Sequence, residues 1–78
     1  MNLICLSELA IGQRGVIEEV ETEEQFRWRL QALGFRIGRE VQLIRQALFG
    51  GPLQVRIGSV NVMLRRHDAA FIHLRAMG

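Results

Sequence analysis

The stretch that decides the fold is LQVRIGSVNVML, residues 53–64. Apolar and polar residues alternate on both sides of Gly58-Ser59, and a two-residue Gly-X connection is typical of a type II′ β-hairpin. The turn predicts the pairs Leu53–Leu64, Gln54–Met63, Val55–Val62, Arg56–Asn61 and Ile57–Val60. In this register the apolar residues of both strands share one face, so turn chemistry and side-chain pattern agree.

Short strands flank this hairpin on both sides. Upstream, alternation predicts a strand from Arg39 to Ala47, and a β-branched run predicts another over Val16 to Val20. Downstream, residues 66–70 are expected to form one helical turn, followed by a closing strand from Phe71 to Leu74. The first segment, residues 3–9, is predicted only as an apolar lead-in.

The clearest helix pattern covers about residues 23–33. Thr22 is predicted as the N-cap, with Gln25 completing a capping box. Gly34 fits the left-handed position after the helix, and Phe35 would fold back on Leu30. The helical spacing predicts one core-facing stripe of Phe26, Leu30 and Leu33.

Together these elements predict a mostly β protein: a small five-stranded SH3-like barrel with one helix inserted after its first strand. Short strands with Gly-rich turns in so short a chain favour a closed barrel, because closure removes exposed strand edges.

The length of 78 residues predicts a single domain, 1–78. Apolar residues make up 49% and charged residues 23%, as in ordinary globular proteins. No apolar run approaches the ~20 residues that span a bilayer, and residues 1–6 do not have the pattern of a secretory leader. The single cysteine, Cys5, suits a reducing compartment, so we expect a cytoplasmic location.

Charge is unevenly distributed along the chain. Residues 1–24 hold six glutamates against Arg14, a net of −5, and residues 25–78 hold nine arginines against Glu40 and Asp68, a net of +7. One interpretation is that the two parts pack together and partly neutralise each other. The other is that the arginine-rich part meets an acidic partner or nucleic acid.

Trp28 is expected on the opposite face of the helix from Phe26, among polar neighbours. Tryptophan is enriched at the centres of protein interfaces, which favours a partner contact. Single exposed apolar residues are also common, so a purely incidental exposure stays open.

Catalytic and metal-binding patterns are weak. Cys5 lies in an apolar stretch and is predicted as a small core residue, and no serine lies in a nucleophile motif. His67, Asp68 and His73 are candidate metal ligands, but their spacing fits no tight site, so at most weak binding of a divalent transition metal is expected. We therefore predict no enzyme and no cofactor.

Nucleic-acid binding is the main alternative function. Seven arginines in the C-terminal part could contact phosphates, but only Phe49 and Phe71 are interleaved with them as stacking platforms. The acidic N-terminal third also interrupts a uniform basic face, so no nucleic acid is expected.

Four segments resemble the FeoA family, ferrous iron transport protein A. LQALGFRIG (30–38), ALFGGPL (47–53) and VMLRRHDA (62–69) are similar to its motifs in the right order, as is LSEL (6–9) with Gly12, Gly15 and Val16. Two departures lie in the second segment, where Leu48 replaces a proline and Gly51 an aspartate of the family pattern.

The resemblance implies a cytoplasmic SH3-like accessory protein of bacterial ferrous iron uptake. Such proteins act with an inner-membrane permease, FeoB, which carries a GTP-binding domain. We therefore expect an interaction module that reaches the membrane only through this partner. Candidate contacts are Trp28 and the loop Phe49, Gly50, Gly51 and Pro52. A nucleic-acid-binding module, a weak metal sensor and a homo-oligomer remain alternatives.

Overall fold

Six strands and two short helices make up the computed structural model, which describes residues 2–77. Met1 and Gly78 of the expected domain lie outside the described residues. The strands are β1 (Ile4–Cys5), β2 (Arg14–Val20), β3 (Glu40–Gln46), β4 (Leu53–Ile57), β5 (Val60–Leu64) and β6 (Ile72–Met77). The helices are α1 (Glu24–Ala32) and α2 (Arg66–Ala69), and a 3₁₀ turn covers Leu6–Glu8.

All six strands form one antiparallel sheet in the order β1-β6-β2-β3-β4-β5. The predicted mostly β class is confirmed, with six strands instead of five. The additional strand is β1, which lies in the expected lead-in and pairs Ile4 with Leu74 and Cys5 with His73. No ladder joins β1 to β5 among residues 2–77, so the sheet keeps two edges that a closed barrel would lack.

The β4–β5 hairpin has the predicted register at all five pairs, from Leu53–Leu64 to Ile57–Val60. Gly58 has a φ of +61°, whereas Ser59 has no positive φ. Positive φ at only the first central residue distinguishes a type II′ turn from type I′, so the predicted turn chemistry is confirmed.

Two β-bulges bend the sheet. The register shifts between Ile17 and Glu19 where β2 pairs with β6, and between Leu43 and Arg45 where β3 pairs with β4. A bulge adds one residue to a strand and increases its local twist, which lets short strands curl around a single core.

The N-cap of α1 lies one residue after its predicted position. Glu23 is the N-cap, because its carbonyl accepts the main-chain N–H of Arg27 at 2.9 Å, and no side chain caps the helix. The predicted capping box of Thr22 and Gln25 is therefore wrong. The Thr22 carbonyl instead accepts a bond from the Arg27 guanidinium at 3.2 Å.

The C-terminal end of α1 has the predicted left-handed cap. Gly34 has a φ of +108°, its N–H donates to Gln31, and the N–H of Phe35 donates to Leu30. Leu30 and Phe35 are buried, but Leu33 is 48% exposed, so its predicted place in the core stripe is wrong. Leu33 is the C-cap residue, the last one before the chain leaves the helical path at Gly34.

One hydrophobic core lies inside the curved sheet, with α1 and the 3₁₀ turn covering it. Among residues 2–77 it holds fifteen: Leu6, Leu9, Ile17, Val20, Leu30, Phe35, Val41, Leu43, Leu53, Val55, Ile57, Leu64, Ala69, Ile72 and Leu74. Phe26 packs against this cluster from the side and is half-buried. Within residues 2–77 neither helix has the length and apolar character needed to cross a bilayer.

Candidate functional site

Trp28 stands on the outer face of α1. Its side chain is 68% exposed, whereas Leu30, two residues on, is buried. The neighbouring Arg27 and Arg29 are exposed as well. The predicted orientation is therefore confirmed, and the indole is available to a partner.

The loop between β3 and β4 projects a second aromatic side chain. Its two ends are held together because the N–H of Ala47 donates to the carbonyl of Pro52 at 3.0 Å. Between them, Leu48 is 81% exposed and Phe49 is fully exposed. Phe49 also has left-handed backbone angles, φ 59° and ψ 39°, which cost an L-residue about 1–2 kcal/mol. The loop thus holds an aromatic ring in solvent at the expense of backbone strain.

The glycines of this loop allow its tight path. Gly50 has a φ of +72°. A Cβ on Gly51 would lie only 2.8 Å from the Cβ of Ala47, closer than two carbon atoms can pack. The loop as it stands therefore has no room for a side chain at position 51.

The three candidate metal ligands do not form a metal centre. His67 and Asp68 lie on α2, where the His67 ring packs edge-on against Phe71 with centroids 5.2 Å apart. His73 lies on β6 in a different setting. In residues 2–77 no group of three or more histidine, cysteine, aspartate or glutamate side chains is placed to hold a metal ion. The structure therefore does not bring the three candidate ligands together into one group.

His73 of β6 contacts Cys5 of β1 on one side and Glu21, the residue after β2, on the other. Its Nε2 lies 3.1 Å from a carboxylate oxygen of Glu21, and its Nδ1 lies 3.9 Å from the Cys5 Sγ. Sequence reasoning missed this cluster, because Cys5 and His73 are 68 positions apart and meet only through the two-residue strand β1.

Cys5 is half-buried on the edge strand β1 and is not part of the hydrophobic core, so its prediction as a core residue is wrong. Burial raises the pKa of its thiol, and the carboxylates of Glu8 and Glu21 raise it further. In return, the Cys5 N–H, which donates to Glu8 Oε1 at 2.9 Å, lowers the pKa of Glu8. A thiol with a raised pKa stays protonated at neutral pH and is a poor nucleophile.

The uneven charge is partly neutralised within the fold. Glu18 of the acidic segment forms an ion pair with Arg75, and Arg14 forms one with Glu40, whereas Glu21 contacts the imidazole of His73. These contacts support the interpretation that the acidic and basic parts pack together. The other arginines have no carboxylate within 4 Å among the residues that the structure describes, so positive charge remains on the surface.

Relatives of this chain match it over nearly its whole length. The model of the FeoA domain family matches residues 4–76. The Fe(2+) transport protein A/Fe(2+) transporter FeoB fusion protein of Porphyromonas gingivalis is 41% identical over 69 residues. These residues are 88% of this chain but 8% of that protein, so the chain corresponds to a small part of the fusion.

Solved structures of FeoA proteins share the fold. The solution structure of FeoA from Chlorobium tepidum has a TM-score of 0.88 and 31% identity, and the match covers 96% of this chain and 71% of that one. The crystal structure of Stenotrophomonas maltophilia FeoA complexed with zinc, described as a procaryotic SH3 domain protein, has a TM-score of 0.80 and 30% identity. That match covers 92% of this chain and 89% of the other. With the SH3-like sheet and the family match over residues 4–76, this chain belongs to the FeoA family.

Proposed function

We propose that this chain is an interaction module of bacterial ferrous iron uptake that docks onto the cytoplasmic side of the permease FeoB. The observation that carries the proposal is the Porphyromonas relative, in which a homologous segment is part of the same polypeptide as the transporter. Covalent linkage keeps two modules at a high effective concentration, and this arrangement suits modules that bind each other. If this chain is not covalently linked to FeoB, its affinity for FeoB alone would have to maintain the same contact.

Two exposed aromatic side chains are the proposed contacts. Phe49 is fully exposed and Trp28 is 68% exposed, so both are available to fill pockets on a partner. The strain at Phe49 supports this role, because a ring already held in its binding position loses less conformational entropy on binding. Gly50, Gly51 and Pro52 keep the loop narrow and present the ring at its tip.

A binding role fits the polar groups better than catalysis. The single thiol has a raised pKa, and His73 is engaged by Glu21 and Cys5. We therefore propose that the chain contributes no catalytic step and no resident metal to iron uptake. Its part is to recognise the permease.

The test is a binding titration of the purified domain against the FeoB of the same organism in lipid nanodiscs. Trp28→Ala and Phe49→Ala are each expected to raise the Kd about tenfold or more, as truncation of interface hot spots does. Matched controls are Gln25→Ala on α1 and Leu48→Ala in the loop, both of which remove exposed side chains.

Failure of the wild-type domain to bind FeoB would refute the proposed function. Binding that survives both aromatic substitutions would keep the partner and reject these contacts. Recovery of nucleic acid in place of the permease, lost as salt is raised, would favour the alternative module.

A further inference from the structure

Strand β5 leaves one side of its backbone unpaired. Ile57 and Val60 flank the two-residue turn and form a hydrogen-bonded pair, so bonding to β4 alternates along the hairpin from that point. The main-chain N–H and C=O groups of Asn61 and Met63 therefore point away from β4. No strand of residues 2–77 lies on that side. Such an edge is a template for one more strand.

A groove runs between this edge and α1. Near the end of α1 it has a volume of about 420 Å³ and is lined by Leu33 and Val60, and along the rest of β5 it has about 450 Å³ and is lined by Leu33 and Met63. These three side chains are 48%, 58% and 61% exposed. Each side chain is therefore apolar surface that the domain itself leaves uncovered, within a lining that is otherwise largely polar. We call this groove the α1–β5 groove.

Arginines line both ends of the α1–β5 groove. Arg36 and Arg39 line the end near the hairpin turn, and Arg29 and Arg65 line the other end. None of the four has a carboxylate within 4 Å among residues 2–77, and Asp68 is the single acidic residue that lines the groove. An occupant that carries carboxylates at both ends would match this charge pattern.

We propose that the α1–β5 groove binds an extended, acidic segment of a partner protein, which pairs with β5 as an additional strand. Main-chain bonds to Asn61 and Met63 would hold the segment, its central apolar side chains would cover Leu33, and its terminal carboxylates would meet the arginines. This surface is distinct from Trp28, which lies on the outer face of α1, and from the Phe49 loop. The proposal does not depend on FeoB being the protein that carries the segment.

The charges argue against a second copy of this chain as the occupant. Two β5 edges paired about a twofold axis would bring the arginines beside both edges together, and like charges across a strand pair are destabilising. Nucleic acid is also a poorer fit, because the aromatic side chain that lines the groove, Phe26, is half-buried against the core and offers no free face for base stacking.

The experiment uses amide hydrogen exchange by NMR on the whole chain. The probe is a blocked synthetic peptide with two glutamates at each end and alternating valine and threonine between them. At about 1 mM peptide we expect exchange of the Asn61 and Met63 amides to slow at least tenfold, because these donors become bonded. A peptide with lysine in place of glutamate is expected to have no effect.

Two variants test the separate parts of the proposal. Arg36→Gln combined with Arg39→Gln is expected to raise the Kd of the acidic peptide about three- to tenfold, whereas Arg45→Gln, an exposed arginine of β3 outside the groove, leaves it unchanged. Asn61→Pro removes one outward donor and leaves the main-chain bonds to β4 in place, and the only β4 contact it loses among residues 2–77 is the exposed bond from Arg56 Nε to Asn61 Oδ1. We therefore expect the fold to persist and peptide binding to be lost.

Unchanged exchange at Asn61 and Met63 with the acidic peptide would overturn the proposal, as would equal binding of the lysine peptide. Slow exchange that depends on protein concentration and needs no peptide would assign the edge to a second copy. Protection of the same amides by RNA alone would assign it to nucleic acid. Because neither FeoB nor Trp28 takes part, failure here leaves the proposed function standing.

Discussion

The main-chain N–H of Phe35 donates to the carbonyl oxygen of Leu30 across 2.9 Å, and both side chains are buried in the same core. This bond turns the chain back at the end of α1, and Gly34 makes the turn with a φ of +108°. The position of the helix against the sheet therefore depends on a residue without a side chain.

Substitution of Gly34 is expected to destabilise the domain through its backbone. A Cβ at this position would meet Ile57 at an ordinary 3.6 Å, so the cost comes from the positive φ and not from a clash. Gly34→Ala should lower the free energy of unfolding by about 1–2 kcal/mol, and Gly34→Asn by less, because Asn tolerates positive φ better. Urea unfolding measures both, and equal stability of the three proteins would show that this cap does not form in solution.

Replacement of Phe49 is expected to separate stability from binding. Phe49→Asn keeps the left-handed backbone at a lower cost, so the free energy of unfolding should rise by up to about 1 kcal/mol while FeoB binding weakens about tenfold or more. Leu48→Asn is the control, since Leu48 is exposed but has no positive φ. A less stable Phe49→Asn protein in urea unfolding would mean that the ring packs on the domain in solution.

Ala47 and Gly51 should show energetic coupling. The Cβ introduced by Gly51→Ala would lie 2.8 Å from the Ala47 Cβ, so the loop must shift, and Ala47→Gly removes the obstacle. In a double-mutant cycle followed by urea unfolding, we expect Gly51→Ala to cost less in the Ala47→Gly background, with a coupling of about 0.5–3 kcal/mol. Simple additivity of the two changes would contradict the loop geometry.

Glu8 should make stability depend on pH in the acid range. The hydrogen bond from the Cys5 N–H lowers the pKa of Glu8 in the folded state. The contribution is therefore full above the ordinary glutamate pKa of about 4.3 and is lost as the pH falls through the lower folded pKa.

Urea unfolding of Glu8→Gln between neutral pH and about pH 3 tests this linkage. We expect the variant to be less stable than the wild type at neutral pH and the difference to shrink in acid. Glu19→Gln, an exposed carboxylate without an ion-pair partner among residues 2–77, serves as the control. A difference that grows in acid would have the wrong sign for the bond to Cys5.

Features that depend on residues close together in the sequence were predicted correctly. The hairpin register follows from Gly58-Ser59 and the alternation beside it, and the left-handed cap follows from Gly34 next to an apolar residue. The exposure of Trp28 follows in the same way from helical geometry.

The features that were missed depend on residues distant in the sequence, or on which of two neighbouring residues becomes the cap of a helix. Strand β1 has two residues and exists only because β6 lies beside it. Thr22 is the better N-cap by residue type, yet Glu23 is the cap and the Thr22 carbonyl accepts a bond from the Arg27 side chain. The α1–β5 groove arises where the helix packs beside the hairpin edge, so no single stretch of sequence predicts it.

The place of β6 between β1 and β2 has a consequence for the order in which the domain can fold during synthesis. Strands β2 to β5 follow one another in the sheet as they do in the chain, so they can pair while the ribosome is still translating. Leu6 and Leu9 are synthesised before Ile72 and Leu74, with which they share the core, so that core cannot be completed until β6 has been synthesised. Until β6 leaves the ribosome, the nascent chain exposes an unpaired strand edge and apolar surface, which makes it prone to aggregation. Synthesis of β6 therefore ends the period in which the domain is exposed to aggregation.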